Sequence, residues 1–467
     1  MSDGTAMRQI PVAFAGSGAG TAPLTWGQKA IMQDMRETGW THNISGAIPL
    51  DKDVTVDEVT EQLRHFMNNY PALRMRMGFD AQGNVCQMVS NSGEVVLDVF
   101  DVADDADPDQ FTYDLWLSRL LTPFDFYEDW PMRMAVVRHH GTPLWRAWTL
   151  SHLAVDGTSV ALLMADIGRT DMIGRITGDP RTVGLLDLGR REQTAAVRQI
   201  SDRAMRFWES RLRSMAPLTF GEPTHPDGRL GKRYWHGRSH SRAAYLAMLA
   251  IAARTRTDTS RVLLAVIAIA IARVTGVNPL TAKVIVSNRF RPGFAEAIAP
   301  LVQNSLVTID VAAATVDDVV ARARQASLSA AKYAYYDPDQ LDDLTARLDV
   351  ERGYQARVSC RINDRRMRTR RIADEAARHC RVTMKQIQDA MPDSFVVWDG
   401  TLENLPEQAF ITVEDNDETV YLQVIFDMAC FTEAEVEALL REVEAVAVEA
   451  AFNAAAPTRV APAPTPA

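Results

Sequence analysis

Strand-like and helix-like segments alternate along the whole chain, and this alternation restricts the fold more than any other feature of the sequence. In the first half, residues 132–138 and 144–151 are strand-like runs joined by a short turn with Gly and Pro, which predicts a β-hairpin. In the second half, strand-like residues 281–286 and 305–311 lie among segments of helical periodicity. With 467 residues, the chain is long enough for more than one domain. The sequence therefore predicts two lobes of mixed α/β (α+β) architecture.

The most apolar segment, residues 262–272, is predicted to be a buried helix, because crossing a bilayer takes about 20 residues. Hydrophobic residues make up 47% and charged residues 24% of the chain, which is typical of a globular protein. The net charge of −10 argues against broad binding to nucleic acid or to an anionic membrane, since both need a basic face.

Cysteine spacing and the N-terminal sequence favour a cytoplasmic protein without a bound metal. The four cysteines are far apart and form no C-x-x-C motif, so neither a zinc ribbon nor a disulfide framework is predicted. The first twenty residues lack the compact apolar stretch and cleavage site of a secretory signal.

Composition also predicts the domain boundaries. Residues 1–20 and 454–467 are rich in Gly, Ala or Pro, so we expect a flexible N-terminus and a disordered tail. Residues 179–193 belong to a stretch rich in Gly, Asp, Pro and Arg and are expected to be a linker. The two lobes would then comprise residues 21–178 and 194–453.

The segment Ser151-His152-Leu-Ala-Val-Asp156-Gly157 contains the residues best suited to catalysis. A histidine at the end of a buried strand can exchange a proton near pH 7. Gly157 permits a positive φ and a close backbone approach, and its N–H at a helix start can stabilise an oxyanion. Asp156 is better placed to hold the loop than to react. An ordinary helix N-cap beside a hydrogen-bonded core histidine is the alternative interpretation, and these residues alone leave both open.

Five further segments, in the same chain order, give this chain a resemblance to the condensation-domain superfamily of nonribosomal peptide synthetases, whose signature is HHxxxDG. The resemblance extends over about residues 23–450. The segments are Pro23-Leu-Thr-Trp-Gly-Gln28, Tyr70-Pro-Ala-Leu-Arg74, Phe207-Trp208 with Leu212, Ser287-Asn-Arg289-Phe-Arg-Pro292 and Val302-Gln-Asn304-Ser305.

The resemblance implies a fold and a set of functional residues. It implies two lobes similar to chloramphenicol acetyltransferase, arranged as a V-shaped pseudo-dimer around a central tunnel. His152 corresponds to the functional second histidine, and Ser151 replaces the first one. We expect His152 and Gly157 to be catalytic, with no metal. The residues expected to support the site are Ser151, Asp156 paired with Arg289, and Asn304 near the tunnel.

The resemblance also implies an activity. We expect an acyltransferase that joins a carrier-bound acyl or aminoacyl thioester to an amine acceptor, making an amide in natural-product biosynthesis. The enzyme would need no cofactor of its own, because the carrier protein supplies the phosphopantetheine. Since nothing resembles an adenylation domain or a G-x-[DH]-S carrier motif, a free-standing enzyme is expected. The alternatives are ester formation with an alcohol acceptor and a non-catalytic module that recruits a carrier protein and a tailoring enzyme.

A dense basic segment between residues 361 and 371 is a candidate docking surface for the carrier. Carrier proteins are typically acidic and carry a phosphate, which arginine binds in a bidentate manner. The expected docking residues are Arg365, Arg366, Arg368 and Arg370. A solvated charge run is the alternative, and nucleic acid is not an expected partner. Because two internal lobes complete the cleft, we expect a monomer.

Overall fold

The computed structural model describes residues 5–168, 178, 181–213, 215–224, 233–402, 405 and 407–462. Its strands are β1 (Ala6–Ala15), β2 (Gly20–Pro23), β3 (Asn43–Pro49), β4 (Met75–Phe79), β5 (Val85–Val89), β6 (Ser92–Val102), β7 (Met132–His139), β8 (Thr142–Ser151), β9 (Tyr234–Ser241), β10 (Leu280–Val286), β11 (Gln303–Ile309), β12 (Cys360–Asp364), β13 (Phe395–Leu402), β14 (Ala409–Val413) and β15 (Val420–Asp427).

The helices are distributed among these strands, so the predicted mixed α/β fold is confirmed. They are α1 (Trp26–Thr38), α2 (Val56–Asn69), α3 (Pro108–Leu121), α4 (Gly157–Asp166), α5 (Leu185–Glu192), α6 (Ala195–Leu212), α7 (Arg242–Thr255), α8 (Thr259–Thr275), α9 (Val316–Tyr333), α10 (Pro338–Arg352), α11 (Arg368–Arg378), α12 (Met384–Ala390) and α13 (Glu433–Ala450). Short 3-10 helices cover Pro71–Arg74 and Met391–Asp393.

The chain forms two compact units. The segment Ser287–Val302 belongs to the first unit, although its place in the sequence put it in the predicted lobe 194–453. Hydrogen bonds to Asp156, a residue of the candidate site, hold this segment in the first unit. The first unit contains Met1–Ile200, Ser287–Val302 and Asp337–Asp339, and the second contains Ser201–Val286, Gln303–Tyr336 and Gln340–Ala467.

The first unit is built on a five-stranded sheet of order β1-β6-β7-β8-β3 and a three-stranded sheet of order β2-β5-β4. The predicted hairpin is confirmed, because β7 and β8 pair antiparallel from Met132 with Leu150. On its other side β8 pairs antiparallel with β3, and Ser151 lies opposite Asn43. The C-terminal end of β8, where the HxxxDG segment begins, is therefore next to the start of β3.

Helix α1 begins with a capping box. The Thr25 hydroxyl accepts from the Gln28 N–H at 3.2 Å, and the Gln28 amide oxygen accepts from the Thr25 N–H at 2.8 Å. These bonds satisfy main-chain donors that have no partner within the helix. The helix ends at Gly39, whose φ of 72° suits glycine. Thr25 and Gln28 are completely buried, so this start of α1 is fixed inside the first unit.

The second unit contains a seven-stranded sheet of order β11-β10-β12-β14-β15-β9-β13. Helix α8 packs in its core with α7, α9 and α13, and every residue from Val262 to Ala272 is buried. The prediction of a buried helix is confirmed. No helix among the described residues is long and apolar enough to span a bilayer.

Both chain ends differ from the prediction. Residues 6–15 form β1, paired with β6, so the expected flexible N-terminus is wrong for this part. Strand β1 is an edge strand with mostly exposed side chains, and only Val12 and Phe14 are buried. Residues 454–462 are packed and not disordered, since Ala456 and Thr458 are buried and the Arg273 side chain donates to the Thr458 carbonyl at 2.8 Å. Residues 1–4 and 463–467 lie outside the described residues.

The expected linker 179–193 contains the helix α5. Leu185 and Leu188 of α5 are buried, and the buried Glu192 carboxylate accepts from the Trp26 N–H at 2.7 Å. This segment therefore packs against the start of α1. Residues 179 and 180 lie outside the described residues.

Candidate functional site

A tight turn at the end of β8 presents His152. The Ser151 carbonyl accepts from the Ala154 N–H at 3.0 Å and from the Val155 N–H at 3.3 Å. The Ser151 hydroxyl, itself buried, accepts from the Leu153 N–H at 3.3 Å. A small side chain at position 151 thus closes the turn through a bond to its own loop.

The His152 ring is partly exposed, although protein surrounds most of it. Burial lowers its pKa below the usual value of 6.5, and the neighbouring charge of His42 lowers it further. The Asp156 carboxylate and nearby main-chain groups of His152 and Val155 act in the opposite direction without reversing the shift. Nδ1 is buried and has no hydrogen-bond partner among the described residues. The imidazole is therefore neutral at pH 7 and able to accept a proton.

Asp156 caps α4 and is completely buried. Its Oδ1 accepts from the Ser159 N–H at 2.8 Å and from the Ser159 hydroxyl at 3.0 Å. Its Oδ2 accepts from the Leu301 N–H at 3.1 Å. The carboxylate therefore joins the His152 turn, the start of α4 and the segment Ser287–Val302.

The ion pair between Asp156 and Arg289 that the family resemblance implies is present. Arg289 Nη2 donates to Asp156 Oδ1 at 2.5 Å and to the Ser159 hydroxyl at 2.8 Å, and the arginine side chain is 9% exposed. Its Nη1 donates to the Ala297 carbonyl at 2.7 Å. These bonds supply partners for a charge that would otherwise be costly to bury.

Two contacts that sequence reasoning missed hold the same loop. The Ser159 hydroxyl accepts from the Ala299 N–H at 3.2 Å, so it links α4 to the segment Ser287–Val302. The side-chain amide of Gln28 donates to the Leu153 carbonyl at 3.2 Å. The family-like Thr25-x-x-Gln28 element gave a signal for Gln28, whereas Ser159 looked like an ordinary residue of the helix start.

Gly157 differs in part from the prediction. It is exposed and is not among the residues with positive φ. A Cβ at this position would meet nothing within 4 Å, so the argument from φ and close approach is wrong. Its N–H lies in the first turn of α4, where main-chain donors have no partner within the helix, so a role as oxyanion donor stays a prediction.

Asn304 lies in β11 of the second unit. Its carbonyl accepts from the Tyr336 hydroxyl at 3.0 Å. The side-chain Oδ1 is buried without a hydrogen-bond partner among the described residues. Its predicted supporting role stays a prediction.

Arg366 cannot dock a carrier as expected. Its side chain is 3% exposed, and it donates to both carboxylate oxygens of Asp364, at 2.9 and 2.7 Å. This bidentate pair uses the guanidinium inside the unit, so the prediction for Arg366 is wrong.

The other predicted docking arginines are more accessible. Arg365 and Arg368 form ion pairs of 3.1 and 2.8 Å with acidic residues between β14 and β15. Arg370 and its neighbour Arg371 are exposed on α11, and no ion pair is found for either within the described part of the chain.

Among the described residues, no group of histidine, cysteine and carboxylate side chains could hold a metal ion. That the protein needs no metal stays a prediction.

Fold and site together define a class of protein. The chain has two mixed α/β units, and the first presents a neutral imidazole in an HxxxDG loop held by a buried Asp–Arg pair. Residues 19–359 match the condensation domain family, and the chain belongs to that family. A search of curated proteins finds no match.

Solved structures of condensation domains share this two-lobed fold. SgcC5 from Streptomyces globisporus, in complex with (R)-(-)-1-(2-naphthyl)-1,2-ethanediol and sucrose, is 15% identical, with a TM-score of 0.65 over 93% of this chain and 100% of that one. The condensation domain of the Monacolin K polyketide synthase MokA is 12% identical, with a TM-score of 0.69 over 95% of this chain and 100% of that one. The X-domain in its complex with OxyB from teicoplanin biosynthesis is 17% identical, with a TM-score of 0.64 over 95% of this chain and 96% of that one.

Proposed function

We propose that this protein transfers an acyl or aminoacyl group from a carrier-protein thioester to an amine and thereby forms an amide. The observation that carries the proposal is the neutral, partly exposed imidazole of His152 on a loop fixed by buried contacts. Few other side chains can accept and return a proton near pH 7. Membership of the condensation domain family supports the same class of reaction.

His152 acts on the proton that the attacking amine must lose. As the amine nitrogen attacks the thioester carbonyl, the imidazole accepts this proton. It then returns the proton to the thiol sulfur as the carbon–sulfur bond breaks. The Gly157 N–H, at the positive end of α4, is the candidate donor to the oxyanion of the tetrahedral intermediate.

Asp156 and Arg289 are positioning residues. Asp156 is completely buried and uses both oxygens in hydrogen bonds, so it is unsuited to proton transfer. Its contacts fix the loop that carries His152. Arg289 neutralises the buried carboxylate and binds main-chain carbonyls of the segment Ser287–Val302.

The carrier protein would dock near α11. Arg370 and Arg371 offer two exposed positive charges in a protein of net charge −10. An acidic carrier with a phosphopantetheine phosphate is complementary to this surface. The phosphopantetheine arm arrives as part of the substrate, so the enzyme needs no cofactor of its own for the proposed step.

Ester formation is a second candidate, since SgcC5, with the same fold, was solved with a diol. The test incubates the protein with one acyl-loaded carrier and a matched pair of acceptors that differ only in an amino or hydroxyl group. Mass spectrometry identifies the product, and a reaction without enzyme is the control. We expect the amide to form faster, whereas faster ester formation favours the alternative.

A recruitment module is the third candidate, since an X-domain of this fold was solved with OxyB. This function predicts carrier binding without product from either acceptor. Absence of both products, with carrier binding intact, would contradict the proposed amide formation.

A further inference from the structure

A second histidine lies beside the HxxxDG loop. His42 immediately precedes β3, and His152 immediately follows β8. Because Asn43 lies opposite Ser151 in this antiparallel pair, the next positions outward are His42 and His152. The two imidazoles are close enough for positive charge on His42 to disfavour protonation of His152. His42 is therefore part of the surroundings of the candidate site.

An aspartate orients His42. The Nε2 atom of His42 lies 2.9 Å from Asp34 Oδ2 and 3.2 Å from the Thr38 hydroxyl, both on α1. The two side chains of the pair are 19% and 15% exposed. His42 also has a φ of 46°, a left-handed conformation that is uncommon for residues other than glycine and often marks functional sites.

The pair leaves one ring nitrogen available. A carboxylate beside Nε2 favours the neutral tautomer with its proton on Nε2, so the lone pair lies on Nδ1. No described residue forms a hydrogen bond with Nδ1 of His42. This is the arrangement of a histidine base oriented by an aspartate.

The proposed reaction must remove two protons from the acceptor nitrogen. An alkylamine is an ammonium ion near pH 7, and it loses two protons when it becomes an amide. One proton ends on the leaving thiol sulfur, and the other must be released to solvent. A single imidazole accepts only one proton at a time, so His152 alone must release the first proton before it can accept the second.

We propose that His42, oriented by Asp34, is a second base that accepts the first proton from an ammonium acceptor and releases it to solvent. His152 then accepts the second proton as the nitrogen attacks the carbonyl, and returns it to the sulfur. The inference rests on the proposed amide-forming function. Repulsion between the two imidazoles supports it, because positive charge on His42 disfavours protonation of His152.

The test compares wild type with His42→Gln on one loaded carrier and two amines, whose ammonium pKa values are about 8 and about 10. At pH 7 the variant should be roughly 100-fold slower with both amines. The defect should shrink as the pH rises through the pKa of each acceptor, because solution then supplies the neutral amine. The pH of this recovery should therefore differ between the two amines.

The control is His140→Gln, which removes another histidine–aspartate pair, of 2.9 Å to Asp104, at the opposite end of β8. This variant should retain wild-type rates. Asp34→Asn carries the same test if His42→Gln does not fold. An unchanged rate, or a defect that is the same at every pH and for both amines, overturns the role of His42. If wild type forms no amide with any amine, the proposed function itself fails.

Discussion

At the scale of single residues, the Asp156–Arg289 pair holds the loop of His152 in place. Both side chains are almost completely buried, and the arginine also binds a serine hydroxyl and main-chain carbonyls. Removing one partner of a buried pair leaves an unpaired charge, which is far more costly than losing an exposed pair.

We therefore predict that Arg289→Met lowers the free energy of unfolding by about 3–5 kcal/mol. Arg190→Met is the matched control, because its pair with Asp187 is largely exposed and should contribute little. Urea unfolding monitored by fluorescence measures both variants. Equal, small effects would show that the buried pair does not hold the loop.

His152 should make stability depend on pH. Burial lowers its pKa in the folded protein, so an unfolded histidine, with a pKa near 6.5, binds more protons in the range between the two values. The free energy of unfolding should therefore fall as the pH drops below 6.5. Replacing His152 with Gln should remove this contribution.

Urea unfolding of wild type and His152→Gln at several pH values between about 7 and 5 checks this prediction. The stability difference between the two proteins should shift against wild type toward pH 5. A difference that stays constant with pH would mean that the imidazole is not held neutral by burial.

At the scale of elements, α1 and the segment Ser287–Val302 pack so closely that one position needs glycine. A Cβ on Gly27 would lie 1.7 Å from the Pro300 carbonyl oxygen. The same segment supplies the Leu301 N–H and the Arg289 side chain to Asp156. A change in α1 should therefore reach the His152 loop through this segment.

We predict that Gly27→Ala destabilises the protein by about 1–3 kcal/mol, as in other overpacked interiors, and slows acyl transfer. Gly184→Ala is the control, since a Cβ there would approach only the Asp187 side chain, at 3.8 Å. Unfolding and transfer rates are measured for both variants. Wild-type behaviour of Gly27→Ala would show that the segment moves away without consequence.

Local signals predicted many elements. The two strand-like runs and the turn between them gave the hairpin of β7 and β8, and the apolar segment 262–272 gave the buried helix α8. Strand β1 was missed because the Gly- and Ala-rich composition around it masked a short alternation, in which only Val12 and Phe14 are buried. The position of the segment Ser287–Val302 depends on hydrogen bonds between distant residues, which composition does not reveal.

The same limit applies to the candidate site. The HxxxDG motif identified His152 and Asp156, because both residues lie within one short stretch of sequence. Arg366 is buried, and His42 pairs with Asp34, through contacts that form only in the folded chain. No sequence motif indicated either of them. The predicted V-shaped arrangement and its tunnel stay predictions.

At the scale of the whole molecule, an acidic protein must bind an acidic carrier for the proposed function. The net charge of −10 repels such a partner, so local positive charge on α11 matters. Arg370 and Arg371 are exposed on this helix. Because exposed charges are screened by salt, their contribution should decrease at high ionic strength.

We predict that the double variant Arg370→Glu and Arg371→Glu weakens carrier binding about tenfold at low salt. The defect should diminish as salt is added. Arg378→Glu, on the same helix and paired with Glu375, is the control and should bind nearly as wild type. Titration calorimetry measures the three affinities, and equal binding would place the docking surface elsewhere.

The acyl-transfer rate of His152→Gln in a single turnover tests the central claim most directly. The measurement follows release of the acyl group from a loaded carrier at saturating amine, with carrier binding measured in parallel. We predict that the rate falls about 100- to 10,000-fold while carrier binding is retained. An unchanged rate would contradict the assignment of His152 as the proton-transferring residue.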